Sequence, residues 1–387
     1  MRAMIAMFRT PVRPRDSQRG FSLLEIMVGV AIGLIGIVVI FQVLAVWETR
    51  KRTTTSGSDA QIAGTIAMFN LERDLKLAGY GFGNSTFMGC TVNAYDPLRA
   101  PTNFTFALSP VVITDGAGGA PDTLTVLWGN SSIFVADQTF TTSSNTTKRT
   151  RGRAGLQKGD LVVAAGNSPA QCVLAEVTQN DVADGVPFTD GASIGHANMA
   201  YVNYLGQNVN SRYNNAAGLG IAFTTGSLYN LGPAPQLNTW QIRNVRTLAS
   251  SEGFRNSTIW TEVAEGIVDL QAQYGYDDNG NNQVDCPAGS VVPVCEWTAT
   301  LQSPPLTGTI NWSKVRAIRV ALLARSQQYE KDAVTPTAPT WAAGAFTMRN
   351  VDGTADSGPG DANDWRHYRY RVYQAIVPLR NVIWAND

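Results

Sequence analysis

Hydrophobic and polar positions divide this chain into two regimes. From Ile26 to Phe41 sixteen residues pass without a charged or strongly polar group, and the apolar run continues to Trp47 with only Gln42 inside it. Coiled as a helix, residues 26–47 would span about 33 Å, close to the roughly 30 Å hydrocarbon core of a bilayer. A transmembrane segment is therefore predicted over 26–47. The pattern then weakens. Thr53-Thr54-Thr55-Ser56-Gly57 is β-branched and contains glycine, and reads either as a hinge or melted turn or as part of one continuous helix. Ser58-Asp59-Ala60-Gln61 has capping-box spacing and predicts a helix from there to about Ala78, closed by Gly79. Glu72 and Lys76 are placed for an i,i+4 pair. This helix carries two apolar seams, Met68, Leu71, Leu75 and Ala78 on one side and Ile62, Ile66 and Phe69 on the other. A helix on a free-standing domain needs one buried face. The second seam predicts either contact with neighbouring helices or burial on both sides within the chain's own domain.

After Gly81 the periodicity changes from helical to alternating. Strands are predicted over Thr123–Trp128, Asp160–Ala165, Val173–Val177, Ser227–Leu231, Thr239–Leu248, Val268–Tyr276, Val315–Ala324 and Tyr368–Pro378. The polar or Gly/Pro-rich segments 115–122, 206–220, 277–290, 332–345 and 352–364 read as loops. The fold class is α+β. A long N-terminal helix, half membrane and half amphipathic, is expected to pack on a large antiparallel β-rich domain.

Charge changes this picture only at the N-terminus. The chain balances 30 basic against 30 acidic residues, which argues against a nucleic-acid partner. Residues 1–20 carry Arg2, Arg9, Arg13, Arg15 and Arg19 against Asp16, a net of +4. Arg50-Lys51-Arg52 follow the apolar segment, so the positive-inside rule gives only a slim preference for a cytoplasmic N-terminus. The four cysteines, in an exported chain, are candidates for two disulfides. Cys286 and Cys295 could close a small loop, leaving Cys90 with Cys172, although four cysteines allow about three connectivities.

Glu25 is the costly residue. A carboxylate in an apolar segment costs roughly 2.5–3.5 kcal/mol at a bilayer centre and somewhat less near its edge. An ordinary secretory signal has a shorter apolar region and a small-residue cleavage site, and neither it nor a plain signal anchor explains that charge. Cutting after Gly20 would make Glu25 the fifth residue of the mature chain and give Phe21 a free amine of opposite sign. The run Arg19-Gly20-Phe21-Ser22-Leu23-Leu24-Glu25 resembles the class III signal of type IV prepilins and type II secretion pseudopilins. That resemblance implies a prepilin peptidase that cuts after Gly20 and methylates the Phe21 amine. It also implies a filament in which Glu25 pairs with the Phe21 amine of a neighbouring subunit. The expected divisions are a leader over 1–20, a pilin helix over 21–79 and a periplasmic or extracellular domain over 80–387.

Four further stretches narrow the resemblance. They are Leu71-Glu72-Arg73-Asp74-Leu75-Lys76-Leu77-Ala78-Gly79-Tyr80, the run Leu228–Pro233, the run Gly266–Asp277, and Trp312 with Lys314–Arg325, followed by the ending Val377-Pro378-Leu379-Arg380-Asn381. They are similar to the PilW group of minor pilins, while residues 85–225 match only loosely. Membership implies a non-enzymatic role in a tip or priming complex with other minor pilins, the major pilin and the inner-membrane assembly platform, with a tip adhesin as a further partner. A large minor pseudopilin of type II secretion is the sibling reading, and chain length favours the pilus version. The chain is expected to be single-pass in the inner membrane before assembly and on the pilus afterwards.

Candidate chemistry is sparse. Asp277, Asn279, Asn281, Gln283 and Asp285 have the spacing of the first part of a calcium loop, with Gln283 offering its carbonyl. Gly280 sits at position 4 of that loop and Ala288 at position 12, which departs from the pattern. An Asn/Gly-rich hairpin turn is the alternative. No other cofactor is expected. Asp352, Asp356, Asp361 and Asp364 read as a solvated loop. Gly191-Ala192-Ser193-Ile194-Gly195 matches a nucleophile elbow formally, which would make a membrane-tethered hydrolase using Ser193 and the later His367. No strand–turn–helix pattern surrounds it, so the match reads as accidental.

Overall fold

The computed structural model describes residues 20–387 except 84–86, 133–136, 154, 168–169, 181–191, 219, 221–222, 257, 287–294, 300, 302–311, 355–363 and 387. The chain divides into two units, one up to Thr55 and the other Ser56–Asp387.

A single helix, α1 (Leu23–Leu77), runs through both units. It does not break at 53–57, and Ser58 lies inside it rather than at a cap. The helix-propensity deficits of Thr and Ser, at most about 0.7 kcal/mol per residue, are too small to interrupt a helix supported on both sides. In the first unit Leu23–Glu48 is long and apolar enough to cross a membrane and has no buried residue. At the C-terminal end Gly79 takes a left-handed conformation at φ 81°. The side-chain amide of Asn381 donates to the carbonyls of Leu77 and Ala78, both at 3.1 Å, and so closes the helix from the far end of the chain.

The second unit contains strands β1 (Thr91–Tyr95), β2 (Asn103–Ala107), β3 (Val111–Gly116), β4 (Ala120–Trp128), β5 (Gln138–Ser143), β6 (Thr147–Thr150), β7 (Leu161–Asn167), β8 (Ala170–Glu176) and β9 (Ala192–Gly195). These are followed by β10 (Ala200–Val202), β11 (Asn208–Asn210), β12 (Gly226–Gly232), β13 (Gln236–Arg243), β14 (Thr247–Glu252), a short α2 (Gly253–Asn256), β15 (Thr261–Glu265) and β16 (Ile267–Tyr276). The chain ends with β17 (Trp297–Thr298), β18 (Val315–Arg325), β19 (Thr340–Trp341), β20 (Gly344–Ala345), β21 (Tyr370–Pro378) and α3 (Arg380–Asn386).

Three sheets carry the architecture. An eight-stranded sheet has the order β2-β1-β8-β7-β12-β5-β6-β9, a five-stranded sheet β15-β14-β13-β4-β3, and a four-stranded sheet β17-β16-β18-β21. All named pairings are antiparallel except β1 with β8. Met68, Leu71, Leu75 and Ala78 of α1 enter the main core beside Leu124, Trp240, Leu270, Ile318, Leu322 and Val377. In β7 the residues Leu161, Val163 and Ala165 point into this core, while Val162 and Ala164 point into a second one with Phe140, Ile194 and Phe223. Burial on both faces explains why β7 reads as a continuous apolar run.

The predicted strand over Thr239–Leu248 is instead a hairpin. Asn244 and Val245 turn it with φ of 49° and 68°, between β13 and β14. Two left-handed residues make the tight turn that a hairpin needs, and the absence of glycine hid it from the sequence. The predicted loops 206–220 and 332–345 contain β11 and the β19–β20 pair. Most of loop 352–364 lies outside the described residues.

Candidate functional site

The N-terminal segment is built from Ser22 outward. The Ser22 hydroxyl accepts the Glu25 N–H at 3.2 Å, and the Glu25 carboxylate accepts the Ser22 N–H at 3.3 Å. This reciprocal pair is a capping box, and Ser22-Leu23-Leu24-Glu25 carried its signature unread. Glu25 thus has a local partner within its own chain, one that the sequence reading did not assign. Gly20 and Phe21 are exposed, Phe21 by 82%. Every large apolar side chain from Leu23 to Trp47 is at least half exposed, the lowest being Val28 and Ile37 at 50%.

The two seams of the helix separate cleanly. Leu71 and Leu75 are fully buried, whereas Ile62, Ile66 and Phe69 are exposed by 55%, 46% and 68%. The second seam is therefore not consumed by the domain to which it belongs. Between the seams, the buried Asp74 holds α1 to the five-stranded sheet through Asn238 and Trp240.

The loop after β16 folds on its own carboxylate. Asp277 is buried; its Oδ1 accepts the amides of Gly280 at 2.6 Å and Asn281 at 3.0 Å, and its Oδ2 accepts that of Asn282 at 2.9 Å. Arg316 stands 3.6 Å from the same Oδ2. The Oδ1 atoms of Asn279 and Asn281 accept the amides of Asn281 and Gln283, and the Asn281 amide group donates to Asp285. Glu296, which the sequence reading passed over, accepts the amides of Asp278, Asn279 and Asp285. The loop's side-chain oxygens are thus directed at its own N–H groups. Among the described residues no group of three or more His, Cys, Asp or Glu side chains could hold a metal ion. As folded, these oxygens hold the loop together as a turn. Cys286 bonds Cys295 at the mouth of this loop. Cys90 bonds Cys172 across 82 residues, tying the turn before β1 to β8. A closure of that length contributes about 4.5 kcal/mol on the chain-entropy account.

Ser193 sits half-buried within β9, paired in register with Arg149, and the next element is the strand β10 rather than a helix. His367 stacks on Tyr329, and its Nδ1 lies 2.7 Å from the Glu330 carbonyl. The strand–turn–helix of a nucleophile elbow is not formed, which is the physical reason to set the Ser193 reading aside. The buried histidine is His196, whose Nε2 accepts from Lys148 at 3.2 Å. Burial, with the Lys148 charge second, holds this imidazole down to about 3, and burial lowers the Lys148 ammonium to about 8.

Comparison with known proteins agrees with this anatomy. Residues 236–381 match the family described as Type IV Pilus-assembly protein W, and residues 15–41 match the prokaryotic N-terminal methylation motif. All strands of the eight-stranded sheet lie outside the matched residues 236–381. A type IV-like pilin from Thermus thermophilus aligns over 82% of this chain and 94% of its own, at 11% identity and a TM-score of 0.30. Among curated proteins none matches this chain. The chain thus matches the N-terminal methylation motif over residues 15–41 and the Type IV Pilus-assembly protein W family over residues 236–381.

Proposed function

We propose that this chain is a minor subunit of a type IV pilus-like filament, working in a tip or priming complex with other minor pilins and not as a catalyst. The observation that carries the reading is the apolar face of α1, exposed from Leu23 to Trp47 and again at Ile62, Ile66 and Phe69. Apolar surface on this scale is stable only in lipid or against other helices. A bilayer accounts for the first stretch before assembly, and packing against neighbouring helices accounts for both afterwards.

In this reading a prepilin peptidase cuts after Gly20 and methylates the Phe21 amine. Release of that amine gives Glu25 a cationic partner on a neighbouring subunit in place of the Ser22 N–H, and the charge pair sets axial register. The β-rich unit meets the other minor pilins and, through its unmatched eight-stranded sheet, a tip adhesin. The chain waits in the inner membrane with this unit in the periplasm and moves to the pilus on assembly.

Mass spectrometry of sheared filaments tests the proposal. The expected result is a mature N-terminus at methylated Phe21, together with co-purifying minor pilins. A strain lacking the chain should lose pili and keep type II secretion; the reverse would assign it to a pseudopilus. Glu25→Ala should remain in the membrane and fail to enter filaments.

A further inference from the structure

A cavity of 350 Å³ lies where the starts of β4 and β16 meet the ends of β13 and β18, beneath the segment 347–350. That volume is in the range of small-molecule sites. Its walls hold charged groups that the assembly role does not use.

Arg325 at the end of β18 is only 4% exposed. Its guanidinium stands 4.5 Å from the Tyr368 ring centroid, and its Nε has no hydrogen-bond partner. Arg349, half-buried and also lining the cavity, likewise has an unpartnered Nε. Among the described residues no carboxylate stands within ion-pair distance of either arginine. Burying a cation without a counter-ion is costly, and stacking on one aromatic ring offsets only part of that cost. The nearest acid lining the cavity is Asp269, itself 4% exposed and accepting from the Gln271 amide at 2.9 Å. Burial, with the neighbouring Asp122 adding to it and the Gln271 hydrogen bond and the Arg349 charge opposing it, raises this carboxyl to about 7. In its protonated form it would not repel an anion. Ile242 and Val268 add apolar surface beside these groups.

We propose that this cavity binds a small organic anion, an acidic head group on a compact apolar body, with the head between Arg325 and Arg349. The same chemistry is presented by a free carboxylic acid and by the C-terminal carboxylate of a peptide. The inference is independent of the assembly reading, because neither arginine lies on α1.

The test uses the full chain in detergent and follows thermal unfolding by the fluorescence of its nine tryptophans, with calorimetric titration beside it. Hexanoate represents the free acid and N-acetyl-leucine the chain end; hexanamide and N-acetyl-leucinamide are their neutral counterparts. At least one acid should raise the unfolding temperature in a concentration-dependent way while its amide does not. The tighter of the two identifies the source. Arg349→Gln, at a half-buried position, should fold and bind about ten-fold more weakly, as expected for losing one charge-assisted contact. Arg325→Met, should it fold, should abolish binding. No shift with either acid, equal shifts with acids and amides, or undiminished binding in Arg349→Gln would each overturn the proposal.

Discussion

Asp74, buried near the end of α1, accepts the Trp240 indole N–H at 3.1 Å and the Asn238 amide at 2.8 Å on the same carboxylate oxygen. Its other oxygen lies 3.6 Å from Arg73. One helical carboxylate thus fixes the rotation of α1 on β13, and with it which seam of the helix faces outward. Removing it leaves two donors without their acceptor. Asp74→Ala is expected to destabilise the chain by about 2 kcal/mol in denaturant unfolding, and Asp74→Asn by less, because an amide oxygen can still accept.

The outward seam should behave in the opposite way. Ile66→Ser and Phe69→Ser remove exposed apolar groups that the domain does not use. Both are expected to change unfolding stability by less than about 0.5 kcal/mol. Both should also lower the amount of the chain recovered in sheared filaments. Normal recovery with unchanged stability would remove the seam from the assembly surface.

Two buried carboxyls predict a pH dependence. Burial raises Asp122 to about 6, with Asp115 adding to the shift, and raises Asp269 to about 7. The Gly116 and Ala272 amides donate to Asp122, and Gln271 donates to Asp269, with Arg349 also acting on it; these oppose the shift without cancelling it. Both folded values exceed the unfolded one, so the native state binds these protons more tightly. Their contribution is complete below about pH 4 and is lost as pH rises through 6 and 7. Asp96 acts oppositely: burial raises its carboxyl, but the hydrogen bonds from Arg212 and Leu98 and the charges of Arg212 and Arg99 together outweigh it, and the value falls. A variant comparison isolates the effect. The loss of unfolding temperature between pH 5 and pH 8 should be smaller in Asp269→Asn than in the unaltered chain.

The loop after β16 gives a prediction about cations. Three backbone amides and Arg316 already occupy the Asp277 carboxylate. Millimolar calcium is therefore expected to leave the unfolding temperature unchanged. Asp277→Ala should lower stability by about 2 kcal/mol with or without calcium, because it strips three backbone amides of a buried, charged acceptor. A calcium-dependent rise that Asp277→Ala abolishes would restore the cation site.

Much of the candidate site was legible because its signals are local. Gly20, Phe21 and Glu25 lie within six consecutive residues, and the apolar run that follows needs no partner to be recognised. The periodicity of Met68, Leu71, Leu75 and Ala78 identified a buried face, and the structure buries it. Other features were not legible because their partners are remote. Trp240 is 166 residues from Asp74, and Asn381 reaches the end of α1 across 304. Glu296 serves a loop that begins 19 positions earlier, from beyond a stretch of unremarkable composition. The turn at Asn244 and Val245 hid a hairpin inside what looked like one strand.

Short-range pattern in the sequence determined that this chain has an apolar, charge-marked N-terminal helix and an antiparallel β-rich remainder, because helix and strand periods are properties of neighbouring residues. Tertiary structure alone decided which helix seam is free, that the Asn/Asp loop turns its oxygens inward, and that Arg325 and Asp269 share one cavity. Those outcomes depend on which buried donors and acceptors meet across the fold, and strand pairing at long range sets that meeting.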